Sequence, residues 1–226
     1  MASHSPREDL FEKHYAEITE LLEGFVISVV NMGDYESAEN ALIGYLVDMY
    51  SEVFLGEIDY ILDALGVDLM PEEVIELRNG VNTSAFARSN FGRLKEILEA
   101  HAQDLRAKVI DSVDTVKLED IIKDFRSNLE RLALSEIQMG IEKASVESAK
   151  LFEIITENSI LKTWNCVGDS HTCPICLAMN GTTIPVTESF SNVAPSVGIE
   201  EDFSYTGGDI VYAHPRCRCW VTYSKA

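Results

Sequence analysis

All five cysteines of this 226-residue chain fall after residue 165, at Cys166, Cys173, Cys176, Cys217 and Cys219. Their chemistry is therefore confined to the C-terminal stretch. Four of them lie in two short, distant segments, Cys173-Pro174-Ile175-Cys176 and His214-Pro215-Arg216-Cys217-Arg218-Cys219. A Cys-x-x-Cys turn presents two thiolates to one metal ion, and a second pair from a distant element completes a tetrahedron. Zn²⁺ suits such a site, with S and N ligands at ~2.0–2.3 Å. The expected ligands are Cys173, Cys176, His214 and Cys217. Cys219 is the rival for the fourth place, because on a strand Cys217 and Cys219 point to the same side. Cys166 and His171 are near enough in sequence to be spare ligands.

Other readings of the thiols stay open. Cys173 and Cys176 could form a redox dithiol, but that pair normally opens a helix in a βαβ setting that this pattern lacks. The thiols could also be unligated small hydrophobes. A Cys–His nucleophile could pair Cys166 or Cys217 with His171 or His214, although thiols crowded at one centre invite a metal that would quench it. The sequence contains no Gly-rich phosphate loop, HExxH or GxSxG.

Charge divides the chain at the same place. Acidic residues number 38 against 18 basic, a formal net charge of −20. After residue 160 only six acidic side chains face four basic ones, so nearly all the excess lies in the first 160 residues. Such a balance argues against a general nucleic-acid binder, which needs clustered Lys and Arg. It also argues against an anionic membrane surface. The longest charge-free apolar run, Gly24 to Gly33, is ten residues, about half of a membrane span. The N-terminus lacks the basic-then-apolar pattern of a signal peptide. A reducing cytoplasm is the expected compartment, where clustered cysteines are metal ligands more often than disulfides.

The acidic part, residues 1–160, reads as helix. Ser5-Pro6-Arg7-Glu8 is a capping-box signature with Pro at the first helical position. Leu10, His14, Ile18, Leu21, Phe25 and Val29 then recur at three- and four-residue spacing. Met32-Gly33-Asp34 breaks that helix. A second stripe runs from Leu42 through Met49 and Val53 to Leu65, and Gly66 stops it. Pro71-Glu72-Glu73 opens a third helix, with acids at its positive end and a stripe from Val74 and Leu77 through Val81 to Leu94, Leu98, Leu105 and Val109. Gly56, Gly80 and Gly92 are candidate breaks. A last helix begins near Asp114-Thr115 and runs towards residue 157. The Glu and Asp residues off these stripes are expected to form a solvated face. His14 and His101, on or near the stripes, are expected to be packed rather than liganding.

Residues 161–226 form a Cys/His-rich module of another kind. Residues 182–186, 209–212 and 219–223 read as short strands, and Asn180-Gly181 is a turn dipeptide. The Thr187–Gly208 stretch reads as a long, exposed loop. A module this small folds marginally alone, and a structural zinc adds an apparent ~10–16 kcal/mol at neutral pH. The expected fold is thus mainly α: an elongated helical bundle followed by a small α+β, zinc-stabilised C-terminal module.

The ordered set Lys162-Thr163-Trp164, Asp169-Ser170-His171-Thr172-Cys173-Pro174-Ile175-Cys176, Asn180-Gly181 and His214-Pro215-Arg216-Cys217-Arg218-Cys219 resembles the phage Mu F-like minor head protein family, or head morphogenesis proteins. The likeness covers roughly the last 65 residues and extends upstream to Leu134-Ser135-Glu136, where the family often has Arg-Thr-Glu. His171 and Leu134 stand where the family usually has Arg. The resemblance implies a non-catalytic minor capsid protein of a tailed phage, made in the host bacterial cytoplasm and placed in the virion, inside the head near the portal. Its implied partner is the portal protein, with the major capsid or scaffolding protein as further candidates. It would be oligomeric in the virion and would aid head assembly or DNA ejection, with packaged DNA an incidental contact and no membrane involved. Two alternatives remain. One is a phage-delivered effector of ADP-ribosyltransferase-like chemistry using Glu136, and the other is a cellular zinc-binding adaptor.

Overall fold

The computed structural model describes residues 6–31, 35–66, 69–80, 82–111, 115–194 and 217–226. Helices lead: α1 (Pro6–Val30), α2 (Tyr35–Leu65), α3 (Pro71–Asn79), α4 (Thr83–Asp111) and α5 (Thr115–Thr156). Then come β1 (Ile160–Asn165), α6 (Pro174–Met179), β2 (Thr183–Pro185), a 3-10 turn at Phe190–Asn192 and β3 (Trp220–Lys225). The fold is mainly α, with one small antiparallel sheet ordered β2-β1-β3.

Local chemistry explains most helix ends. Gly66, at φ +58°, terminates α2 in a conformation that costs a residue with a Cβ roughly 1–2 kcal/mol. Pro71 opens α3, where the Met70 N–H donates to the Glu73 carboxylate at 2.7 Å. The third predicted helix is in fact two. The Gly80 N–H closes α3 onto the Glu76 carbonyl at 2.9 Å, and helix resumes at Thr83. A Cβ at Gly80 would lie 3.1 Å from both Leu151 methyl carbons, so the close approach of α5 favours glycine there. Gly56 and Gly92 sit inside unbroken helix. The Ser5 cap, the Met32-Gly33-Asp34 break, Val81 and the 209–212 strand lie outside the described residues.

Packing groups the chain into two units. The first comprises Met1–Ser51 and Thr83–Ile137. It buries Ile18, Leu22 and Phe25 of α1, Leu46 and Met49 of α2, and Leu94 and Leu98 of α4. Phe25 meets Phe91 edge-on with ring centroids 6.3 Å apart, tying α1 to α4. His14 is buried, its Nδ1 2.8 Å from the Tyr45 hydroxyl.

The same unit buries a polar network. The Glu136 carboxylate is fully inaccessible and accepts from Asn90 Nδ2 at 2.7 Å and from Arg93 Nη2. Asn90 also donates to the buried Tyr50 hydroxyl. Burial pushes the Glu136 carboxyl up, while Arg93, Asn90 and the Tyr50 hydroxyl pull it back. Burial, with the Glu136 charge beside it, pushes the Tyr50 phenol well up. So the expected solvated acidic face is incomplete: Glu136, with Glu57 and Glu142 of the other unit, is buried.

The second unit comprises Glu52–Asn82 and Gln138–Ala226. One apolar core joins Ile58, Ile61 and Leu65 of α2, Leu77 of α3, and Val146 and Phe152 of α5 to Trp164, Met179, Ile184, Phe190 and Val221 of the C-terminal segment. The change of composition at residue 160 therefore falls inside this unit, whose sheet leans on helical residues for its core. β1 is the central strand, and its buried face carries Ile160, Lys162 and Trp164. The Lys162 ammonium lies 5.1 Å from the centre of the Phe190 ring, a favourable cation–π placement.

Truncating the buried carboxylate leaves Arg93 and Asn90 without their shared acceptor. Glu136→Ala is expected to cost about 3–5 kcal/mol in urea unfolding. Removing the exposed Arg126 guanidinium, which meets Glu23 at 3.1 Å, should leave the unfolding midpoint nearly unchanged.

Candidate metal centre

The site forms where the sheet ends. β1 pairs with β3 in antiparallel register from Ile160↔Lys225 to Asn165↔Trp220. Just before Trp220 the alternation of the strand continues: Cys217 and Cys219 are buried and Arg218 between them is exposed. Both thiols thus face the same side, as expected from their spacing.

The chain leaving β1 supplies the other sulfurs. The Cys166 N–H donates to the Asn180 side-chain carbonyl at 3.0 Å, and Gly181, at φ +82°, donates its N–H to the Trp164 carbonyl at 2.8 Å. These bonds tie both ends of the intervening loop to β1. Within the loop, Asp169 Oδ1 accepts from the His171 N–H at 3.0 Å and from the Thr172 hydroxyl at 3.1 Å. Cys173 then caps α6, with Pro174 next, and its sulfur accepts from the Cys176 N–H at 3.3 Å.

The outcome is a cluster of three buried thiols, Cys176, Cys217 and Cys219, whose sulfurs all lie within 4.8 Å of one another. Cys176 Sγ and Cys217 Sγ are 3.6 Å apart. Tetrahedral geometry with metal–sulfur bonds of about 2.3 Å sets sulfurs roughly 3.8 Å apart, so a cation fits with little movement. Cys173, Cys176, Cys219 and His171 also line a cavity of about 20 Å³. That is room for about one water-sized occupant and too little for an organic cofactor.

Of the residues expected to bind metal, the structure brings Cys176, Cys217 and Cys219 together. Cys219 is thus a member of the cluster alongside Cys217. Cys173 stands next to Cys176 but outside the mutually close trio. His214 lies outside the described residues. Cys166 is half-buried and outside the trio, and His171 borders the cavity.

Left to themselves, the clustered thiols hold their protons. Hydrogen bonds with Cys217 and Cys219, then burial, push the Cys176 thiol far above its usual range. For Cys219 the Cys176 hydrogen bond pulls downward, but Cys217 and burial outweigh it and hold the thiol at about 12. The neighbouring Trp164 indole also pulls that thiol down. Three thiolates cannot share so small a space unless a positive ion neutralises them, and a coordinated metal reverses this thiol-protonating bias.

Sequence reasoning missed one partnership at the rim. Arg218 forms a two-bond pair with Asp169, Nη1 to Oδ2 at 2.9 Å and Nη2 to Oδ1 at 2.6 Å. Arg218 holds the Asp169 carboxyl well below the usual carboxylate range. The signal was present as an Arg between two cysteines and an Asp four residues before another, but no spacing rule joins them.

No protein-family model, curated protein or solved structure matches this chain.

Cys176→Ser, Cys217→Ser and Cys219→Ser should each weaken Co²⁺ binding by at least about 100-fold, since losing a ligand exceeds the ~10–100-fold cost of losing a supporting contact. Cys166→Ser should leave it intact. Absorbance titration reads both. Because binding displaces thiol protons, affinity should rise with pH.

Proposed function

We propose that this chain is a non-enzymatic minor head protein of a tailed phage that docks on the portal inside the head and aids head assembly or DNA ejection. In this reading the thiol cluster holds one structural Zn²⁺. The observation that carries it is the convergence of Cys176, Cys217 and Cys219, with Cys173 adjacent. These are the cysteines of the two motifs on which the Mu F-like resemblance rests. A small, buried, sulfur-rich site with tetrahedral spacing suits zinc better than Mg²⁺ or Ca²⁺, which take oxygen ligands.

The long amphipathic helices and the net charge of −20 support a protein partner over nucleic acid. No helix among the described residues is long and apolar enough to cross a membrane. An effector enzyme using Glu136 receives no support from a side chain fully enclosed by its own unit and paired with Arg93. A cellular zinc adaptor would share the metal centre and differ in its partner.

Metal analysis of the purified chain should find one zinc per molecule. Chelation should lower its melting temperature by about 10 °C or more, given the scale of structural zinc binding. The chain should co-purify with the portal protein and be present in purified virions. Absence from both would remove the assembly role, and absence of zinc would remove the structural ion.

A further inference from the structure

We infer that Asp169 and Arg218 are positioning residues for the metal, a clamp that presets the distance between the two cysteine-bearing segments. The inference rests on the metal reading above and adds residues that are not ligands.

Three observations carry it. First, the backbone ladder that aligns the two segments stops at Asn165↔Trp220. Beyond it lie all three clustered sulfurs, and the Cys176 and Cys217 positions are 41 residues apart in sequence. Second, the Asp169–Arg218 pair bridges the segments past that point. Arg218 lies between the two cysteines of one segment, and Asp169 organises the turn that leads into Cys173 and Cys176 of the other. Third, the bridge is directional. Two parallel N–H···O bonds fix the guanidinium plane, while the His171 N–H and the Thr172 hydroxyl hold the carboxylate from behind.

An exposed pair of this kind adds little to folding stability. Its effect falls on the metal. With one segment free to shift, binding must supply the ordering of both. With the clamp closed, the ion meets sulfurs already near their final spacing. Outer contacts that orient ligands typically govern 10–100-fold of metal affinity.

The test uses the full chain and Co²⁺ as probe. Asp169→Asn keeps an acceptor for His171 and Thr172 but loses the charge, and Arg218→Gln removes the fork. Each should bind Co²⁺ about 10–100-fold more weakly and release it faster. The double variant should lose no more than the worse single one. The sulfur-to-cobalt absorption band at saturation should match wild type, since the ligands are unchanged, and the melting temperature of the metal-free chain should stay put. Arg218→Lys, which keeps the charge without the fork, should recover only part of the affinity. Wild-type binding with either single variant within twofold of it overturns the clamp alone, as does a double variant whose loss equals the product of the singles. A wild-type chain that binds no Co²⁺ or Zn²⁺ overturns the metal reading and the clamp with it.

Discussion

Cys176 and Cys217 are 41 positions apart, and no local turn could hold their sulfurs 3.6 Å from one another. The β1–β3 ladder does it. Six residues of β1 pair with six of β3, and the register brings Trp220 opposite Asn165. A slip of one residue would turn Cys217 and Cys219 away from Cys176, because side chains alternate faces along a strand. The buried face of β1 opposes such a slip. Ile160 and Trp164 are fully enclosed in the same core as Val221 and the cysteines.

That core is not supplied by the sheet alone. Helical residues from α2, α3 and α5 complete it. A three-stranded sheet of this size gains independent stability only by packing on something else. Here the support comes from chain on both sides of residue 160, so the cysteine-bearing segment and its helical backing form one packed body.

The helices were largely legible in the sequence. Gly66, Pro71 and the repeat of Leu10, His14, Ile18, Leu21 and Phe25 fixed boundaries and faces because each acts locally. So did Asn180-Gly181 and the short strand that follows it. β1 escaped notice because Lys162 occupies the middle of its buried face, which spoils the apolar alternation. The Phe190 ring beneath it offers the buried ammonium a cation–π contact. The buried acids were read as surface for the same reason: a carboxylate's partner, such as Arg93 for Glu136 or Ser145 for Glu57, sits on another helix. At the cluster, cysteine spacing predicted which segments would meet. It could not choose among the sulfurs, since that depends on the register of the sheet and on the capping bond that draws Cys173 towards α6.

The chain contains two tryptophans, and they differ sharply in surroundings. Trp164 is wholly enclosed, stacked edge-on to Phe190 with ring centroids 5.2 Å apart, and its indole N–H faces the Cys219 sulfur. Trp220 lies about one-third exposed at the start of β3. The emission of an indole beside a thiol depends on the state of that thiol. The molecule therefore carries a built-in optical gauge of its own sulfur chemistry, with the second ring serving as a solvent-facing reference.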